Sequence, residues 1–185
     1  MASTGGFGSL PHLARRFFGA LDPRGPSPAE ESWAVGWLLP GERELWRRMS
    51  GPDRRHAAGV ARDTAVLLGA GAGGGGREVM ASALLHDVGK VESGLGTFAR
   101  VGVTVAAIAL GRERLVTGPD RSSGQPRWRR RVSDYLTHDR IGASLLEEAG
   151  SHPMTVAWAR EHHLPEAEWT VERRVADALK AADGD

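Results

Sequence analysis

Apolar residues along this chain recur at intervals of three and four, and no segment alternates strictly enough to read as a half-buried strand. Leu10, Leu13, Phe17, Phe18 and Leu21 form one such stripe, with Arg15 and Arg16 on the other side. Trp33 to Met49 carries further helical turns around Leu38, Leu45 and Trp46, and Pro52 suits the first turn of a helix running to about Leu68. More helices are expected over Glu78 to Gly89, Val101 to Leu115, Trp128 to Leu136, Asp139 to Ala149, Pro153 to His163 and Val171 to Asp183. The expected fold is all-α, a compact helical bundle.

Three stretches break the pattern and read as loops: Pro23 to Pro28, the glycine tract Gly69 to Gly76, and Thr117 to Pro126. The glycine tract lacks the Gly-Lys-Ser/Thr ending of a phosphate-binding loop and follows a helical pattern rather than a strand, so it reads as a connector. At 185 residues the chain suits one domain with a real core. We expect an N-terminal helical extension over 1–39, packed on a main domain over 40–185. Lys and Arg number 24 against 23 Asp and Glu, a net charge of +1, so no strong overall field draws nucleic acid or lipid. Arg127-Trp128-Arg129-Arg130-Arg131 is the only local excess; it reads as a solvated helix start, or as a border that meets phosphates. The longest apolar run, Val101 to Leu110, is far shorter than the ~18–20 residues that span a bilayer. The first residues also lack the basic-then-apolar order of a secretory signal, and a soluble cytoplasmic protein is expected.

Cysteine is absent, which excludes disulfides, thiolate zinc sites, iron–sulfur clusters and a Cys nucleophile. Any metal must be held by His and carboxylates. Of the seven histidines (12, 56, 86, 138, 152, 162 and 163), His56 shares a face with Val60, Thr64 and Leu67 and points into the bundle. His86-Asp87 ends the apolar run Ala83-Leu84-Leu85 and is followed by Val88-Gly89-Lys90. Neighbouring residues on a helix diverge by about 100°, so this pair straddles the buried stripe and can close on one ion while a carboxylate oxygen reaches a second. The plain alternative is a helix end capped by Gly89 with a solvated Lys90; the cost of burying an unpartnered Asp argues against it. His138 stands at a helix start, and His162-His163 follow Trp158 and Ala159 by one turn, where a pair of cations favoured by the helix dipole is the competing reading. In the last helix Asp177 is surrounded by Arg173, Arg174 and Lys180, a solvated ion-pair face. Asp183 instead extends the stripe of Val175 and Leu179 and is the better ligand candidate.

His56, then His86-Asp87 in ALLHDVGK, then Asp183 in ALKAAD together resemble the HD-domain superfamily of metal-dependent phosphohydrolases, whose H…HD…D pattern sits on an all-helical scaffold. The resemblance covers roughly residues 40 to 185. His138 in HDRIGASLL and His162-His163 in AREHHLPE resemble the additional ligands of the binuclear branch, which includes the HD-GYP phosphodiesterases. Leu164-Pro165-Glu166 stands where the Gly-Tyr-Pro signature follows in that type, and no Glu-Asp pair like that of the guanosine-tetraphosphate hydrolases is found.

The resemblance implies metal ligands His56, His86, Asp87, His138, His162, His163 and Asp183, and two divalent ions (Mn, Fe or Zn) bridged by Asp87. It implies hydroxide, acidified by the ions, attacking phosphorus in line, with Asp87 and Lys90 as the catalytic residues and Lys90 holding a phosphoryl oxygen or assisting the leaving group. The expected substrate is a phosphorylated small molecule, foremost a nucleotide. Asp134, four residues before His138, is a candidate to orient that imidazole. The alternative is an inactive HD module that binds a nucleotide or a partner protein. A complete ligand set favours catalysis.

Overall fold

The computed structural model describes residues 23–69, 75–95, 103 and 127–184, and among them it is all-helical with no strand. The expected helices over Leu10–Leu21 and Val101–Leu115, most of the glycine tract and the loop Thr117–Pro126 lie outside the described residues.

Helix α1 spans Pro28–Gly36 and α2 Pro40–Arg48. Ser27 and Glu30 close a reciprocal capping box on α1, with Pro28 in its first turn where an N–H is not needed. The helical turns expected as one stretch over Trp33 to Met49 are thus two helices. Pro40 disfavours helical backbone at Leu39, which is extended (φ −65°, ψ 160°). Buried Glu42 then accepts the Leu39 N–H at 2.8 Å in place of a side-chain cap. Ala34 and Leu38 belong to the main core, so the described part of the N-terminal extension contributes to it directly.

Helix α3 runs Gly51–Leu67 and α4 Arg77–Leu85. Every residue of α4 from Val79 to Leu85 is buried, as befits a helix apolar on all sides. It packs between α3 and α8 (Pro153–Glu161), and α8 lies along α7 (His138–Glu148). Helix α9 (Arg173–Asp183) covers α3, while the short α5 (Lys90–Ser93) rests on α6 (Arg127–Leu136) and α7. Trp46, Met80, Leu84, Leu85, Leu146 and Leu179 are the largest apolar side chains sealed in the core.

The helix expected over Glu78 to Gly89 stops at Leu85. Residues 86–89 instead form a tight turn, with Val88 N–H donating to the Leu85 carbonyl at 3.0 Å and Lys90 N–H to the Asp87 carbonyl at 3.0 Å. Gly89 lies flat against the start of α7: a Cβ there would sit 1.9 Å from the His138 carbonyl oxygen and 2.6 Å from the Gly142 nitrogen. Its φ of −61° is open to any residue, so glycine is needed for space, not for conformation. That contact brings the His86–Asp87 turn to His138.

Candidate metal centre

Four helices end at one point. Helices α4, α8 and α9 terminate at Leu85, Glu161 and Asp183, and α6 terminates at Leu136, two residues before His138. A helix C-terminus leaves its last carbonyls unpaired and carries partial negative charge, so the convergence favours a cation. Three of these ends use one device. The Nδ1 of His86 pairs with the Ala83 carbonyl at 3.0 Å, that of His138 with Tyr135 at 2.7 Å, and that of His162 with Ala159 at 3.1 Å and Trp158 at 3.2 Å. Each imidazole caps the last turn of the helix before it with Nδ1–H, which directs Nε2 at the centre. Tyr135, not Asp134, orients His138, a correction to the sequence expectation: the partner is a backbone carbonyl that α6 leaves open.

Nε2 of His86, His138 and His162 and Oδ1 of Asp87 are buried with no hydrogen bond. His138 Nε2 lies 3.2 Å and His162 Nε2 3.8 Å from Asp87 Oδ1, and His86 Nε2 lies 3.4 Å from Asp87 Oδ2 and 3.6 Å from Asp183 Oδ1. Donors at about 2.1 Å around one ion stand roughly 3.0–3.4 Å apart. Most of the observed separations are long for hydrogen bonds and near the edges of a coordination shell, so the donor set fits a divalent ion. The ligand atoms fall into two groups, Asp87 with His138, His162 and His163, and His56 with His86 and Asp87. Asp87 belongs to both, with Oδ1 toward His138 and His162 and Oδ2 toward His86 and Lys90.

His56 Nε2 contacts Asp183 Oδ1 at 2.9 Å, which places Asp183 beside the group of His56, His86 and Asp87; 29% of the His56 side chain stays open to solvent. Asp177 is exposed and pairs with Arg173 at 2.7 Å, as its surroundings in sequence imply. Of the adjacent pair, His162 is buried and His163 exposed, their rings 3.9 Å apart, and the His163 ring stands 5.3 Å from His138. Lys90 pairs with Asp87 from the first turn of α5. His152 caps α8 on the surface and takes no part. His12 lies outside the described residues.

The electrostatics separate the rings. Burial, reinforced by the charge of His86, pushes the His162 pKa down to about 3, so it is neutral with a bare Nε2 lone pair. Burial also opposes a charge on His86, but the carboxylates of Asp87 and Asp183 outweigh it and push its pKa up to about 10. Burial resists ionisation of Asp87 too, yet Lys90 and His86 hold its carboxyl well below the usual carboxylate range. Without metal, His86 therefore carries a proton facing the two carboxylates. Loading metal-free protein with Mn²⁺ at pH 8 should release that proton, read by calorimetry in buffers of differing ionisation heat; uptake without release refutes ligation by His86. In chelated protein the contribution of His86 to stability is present below the ordinary histidine value of 6.5 and lost as pH rises through about 10. That of His162 is present above 6.5 and lost as pH falls toward about 3. The thermal midpoint should accordingly decline on both limbs.

No protein-family model, curated protein or solved structure matches the chain.

Proposed function

We propose that this chain is a metal-dependent phosphohydrolase or phosphodiesterase of the HD-domain kind, acting on a phosphate ester, with a nucleotide as the foremost class. The observation that carries the reading is the buried convergence of three imidazole Nε2 atoms and Asp87 Oδ1 with no hydrogen bonds among them. A buried group left without a hydrogen bond costs the fold about 1–3 kcal/mol, which a ligand at this centre offsets. His56, His86, Asp87 and Asp183 would hold one ion, and Asp87, His138, His162 and His163 the other.

Divalent ions bound there supply Lewis acidity: they acidify a water into a nucleophile and neutralise phosphoryl charge. The residues supply the rest. Asp87 faces His138 with Oδ1 and His86 with Oδ2, so this one carboxylate would help to hold an ion at either position. The three carbonyl-braced imidazoles cannot swing away from the centre, which keeps the donor geometry fixed without reorganisation. Lys90 is mostly buried and already lies on Asp87, within reach of a phosphoryl oxygen drawn to the centre. The test is hydrolysis of bis-p-nitrophenyl phosphate and of a nucleotide panel by Mn²⁺-loaded protein, with elemental analysis alongside. Turnover that chelator removes and metal restores, with more than one ion per chain, is expected. Metal binding with no turnover on any ester would leave a binding module instead, and metal-loaded protein that never exceeds one ion would exclude the paired site.

A further inference from the structure

Glu161, the last residue of α8, is buried. Both its oxygens are engaged by one residue: Oε2 accepts the Thr170 N–H at 2.7 Å and Oε1 the Thr170 hydroxyl at 2.7 Å. The chain between them passes through His162, His163, the 3₁₀ turn Glu166–Glu168 and Trp169, so this carboxylate closes a loop at its two ends. Trp169 braces the loop, donating Nε1–H to the Leu164 carbonyl at 3.1 Å and meeting the Trp158 ring edge-on at 5.5 Å. From the other side Lys180 of α9 donates to the His162 carbonyl at 2.9 Å, one turn before Asp183.

The two imidazoles differ in what holds them. His162 leans on the carbonyls of α8 and needs no further support. His163 lies past the bond from His162 N–H to the Trp158 carbonyl, inside a turn that Leu164 N–H closes on the Glu161 carbonyl at 2.7 Å. That turn and the loop Glu161 closes with Thr170 fix where it stands. Burying a carboxylate for two hydrogen bonds to a surface threonine is costly, and a neutral side chain would serve a purely packing role better.

Resting on the reading of this centre as a metal site, we infer that Glu161 is a positioning residue for the ion position formed by Asp87, His138, His162 and His163. It acts through Thr170, which fixes the turn carrying His163. Lys180 ties the same turn to α9, and so to Asp183 in the other position.

Calorimetric titration of the metal-free full chain with Mn²⁺ tests this, with free Mn²⁺ counted by electron paramagnetic resonance. The unmutated chain should take up two ions. Glu161→Leu should keep the first and bind the second about 10- to 100-fold more weakly. Glu161→Gln should stay near the unmutated affinity, because its amide oxygen accepts the N–H and its NH₂ donates to the hydroxyl. Thr170→Val retains the backbone bond and should fall between them, and it decides the matter if Glu161→Leu fails to fold. Thermal midpoints of the metal-free variants are read in parallel. Lowered midpoints with an unchanged second affinity in both Glu161→Leu and Thr170→Val overturn the inference. An unmutated chain that binds fewer than two ions overturns it together with the paired-ion reading, whereas two tightly bound ions without ester turnover count only against the hydrolase.

Discussion

Asp87→Ala is expected to abolish phosphodiester hydrolysis and to leave the protein with less than one tightly bound ion. Asp87 is the one residue common to both ligand groups, and its two oxygens face different imidazoles, so its loss removes a ligand from each position at once. It also removes the negative charge that would hold two cations near each other. The Lewis acidity at stake amounts to several kcal/mol, and a loss of about 4 kcal/mol is already a thousandfold in rate. Lys90→Ala provides the contrast. Lys90 occupies Asp87 from the side and is not in either ligand group, so its removal should leave metal uptake intact. Turnover should nonetheless fall roughly a hundredfold, as when one electrostatic donor is deleted. Loss of metal also removes the metal's own contribution to stability, so both variants need circular dichroism in chelator. An Asp87→Ala protein that remains helical, keeps its metal and hydrolyses at the unmutated level would end the mechanism.

The residues that meet at the centre were readable where a strong local pattern is interrupted. His86-Asp87 closes the run Ala83-Leu84-Leu85, and Asp183 continues a stripe that Asp177, crowded by arginines, leaves. The centre joins these residues, with Asp183 buried beside His86 and Asp177 out on the surface. What escaped the sequence is carried by backbone or by distant contact. The groups that aim the imidazoles are carbonyls of Ala83, Tyr135 and Ala159, and a carbonyl has no letter; Asp134 was the nearest side chain that could be named. Glu161 reads as one more polar residue at a helix end beside Arg160, because its partner Thr170 lies beyond a proline-bearing loop. The split at Leu39 is different: Pro40 announces it, and a stricter use of the restriction before proline recovers it. The early end of α4 had no local sign. Leu85 to Gly89 contains nothing that forbids helix, and the turn forms because a helix more than forty residues later is pressed against it.

That pressure makes Gly89→Ala the second large expected effect. Alanine suits the backbone at this position, so local propensity alone would predict a small gain. Sterics decide otherwise. The added Cβ would meet the His138 carbonyl oxygen at 1.9 Å, its carbonyl carbon at 2.8 Å and the Gly142 nitrogen at 2.6 Å. All three are main-chain atoms at the start of α7, so no side chain can rotate aside and the first turn of that helix must move. Overpacking of this kind costs about 1–3 kcal/mol, and more where the neighbour is rigid. The movement also draws His138 Nε2 away from Asp87 Oδ1, now 3.2 Å distant, while leaving His56, His86 and Asp183 where they are. The expected protein is folded, has a lowered thermal midpoint, and binds one Mn²⁺ where the parent binds two. Gly142→Ala grades the effect, because its Cβ approaches the Gly89 nitrogen only to 3.0 Å and Val88 Cγ1 to 3.4 Å, contacts that a shift of a few tenths of an ångström relieves. Stability and metal uptake should fall in the order parent, Gly142→Ala, Gly89→Ala. A Gly89→Ala protein with the parent's midpoint and both ions would mean that the turn and α7 do not meet as described, and the placement of His138 in the centre would fall with that contact.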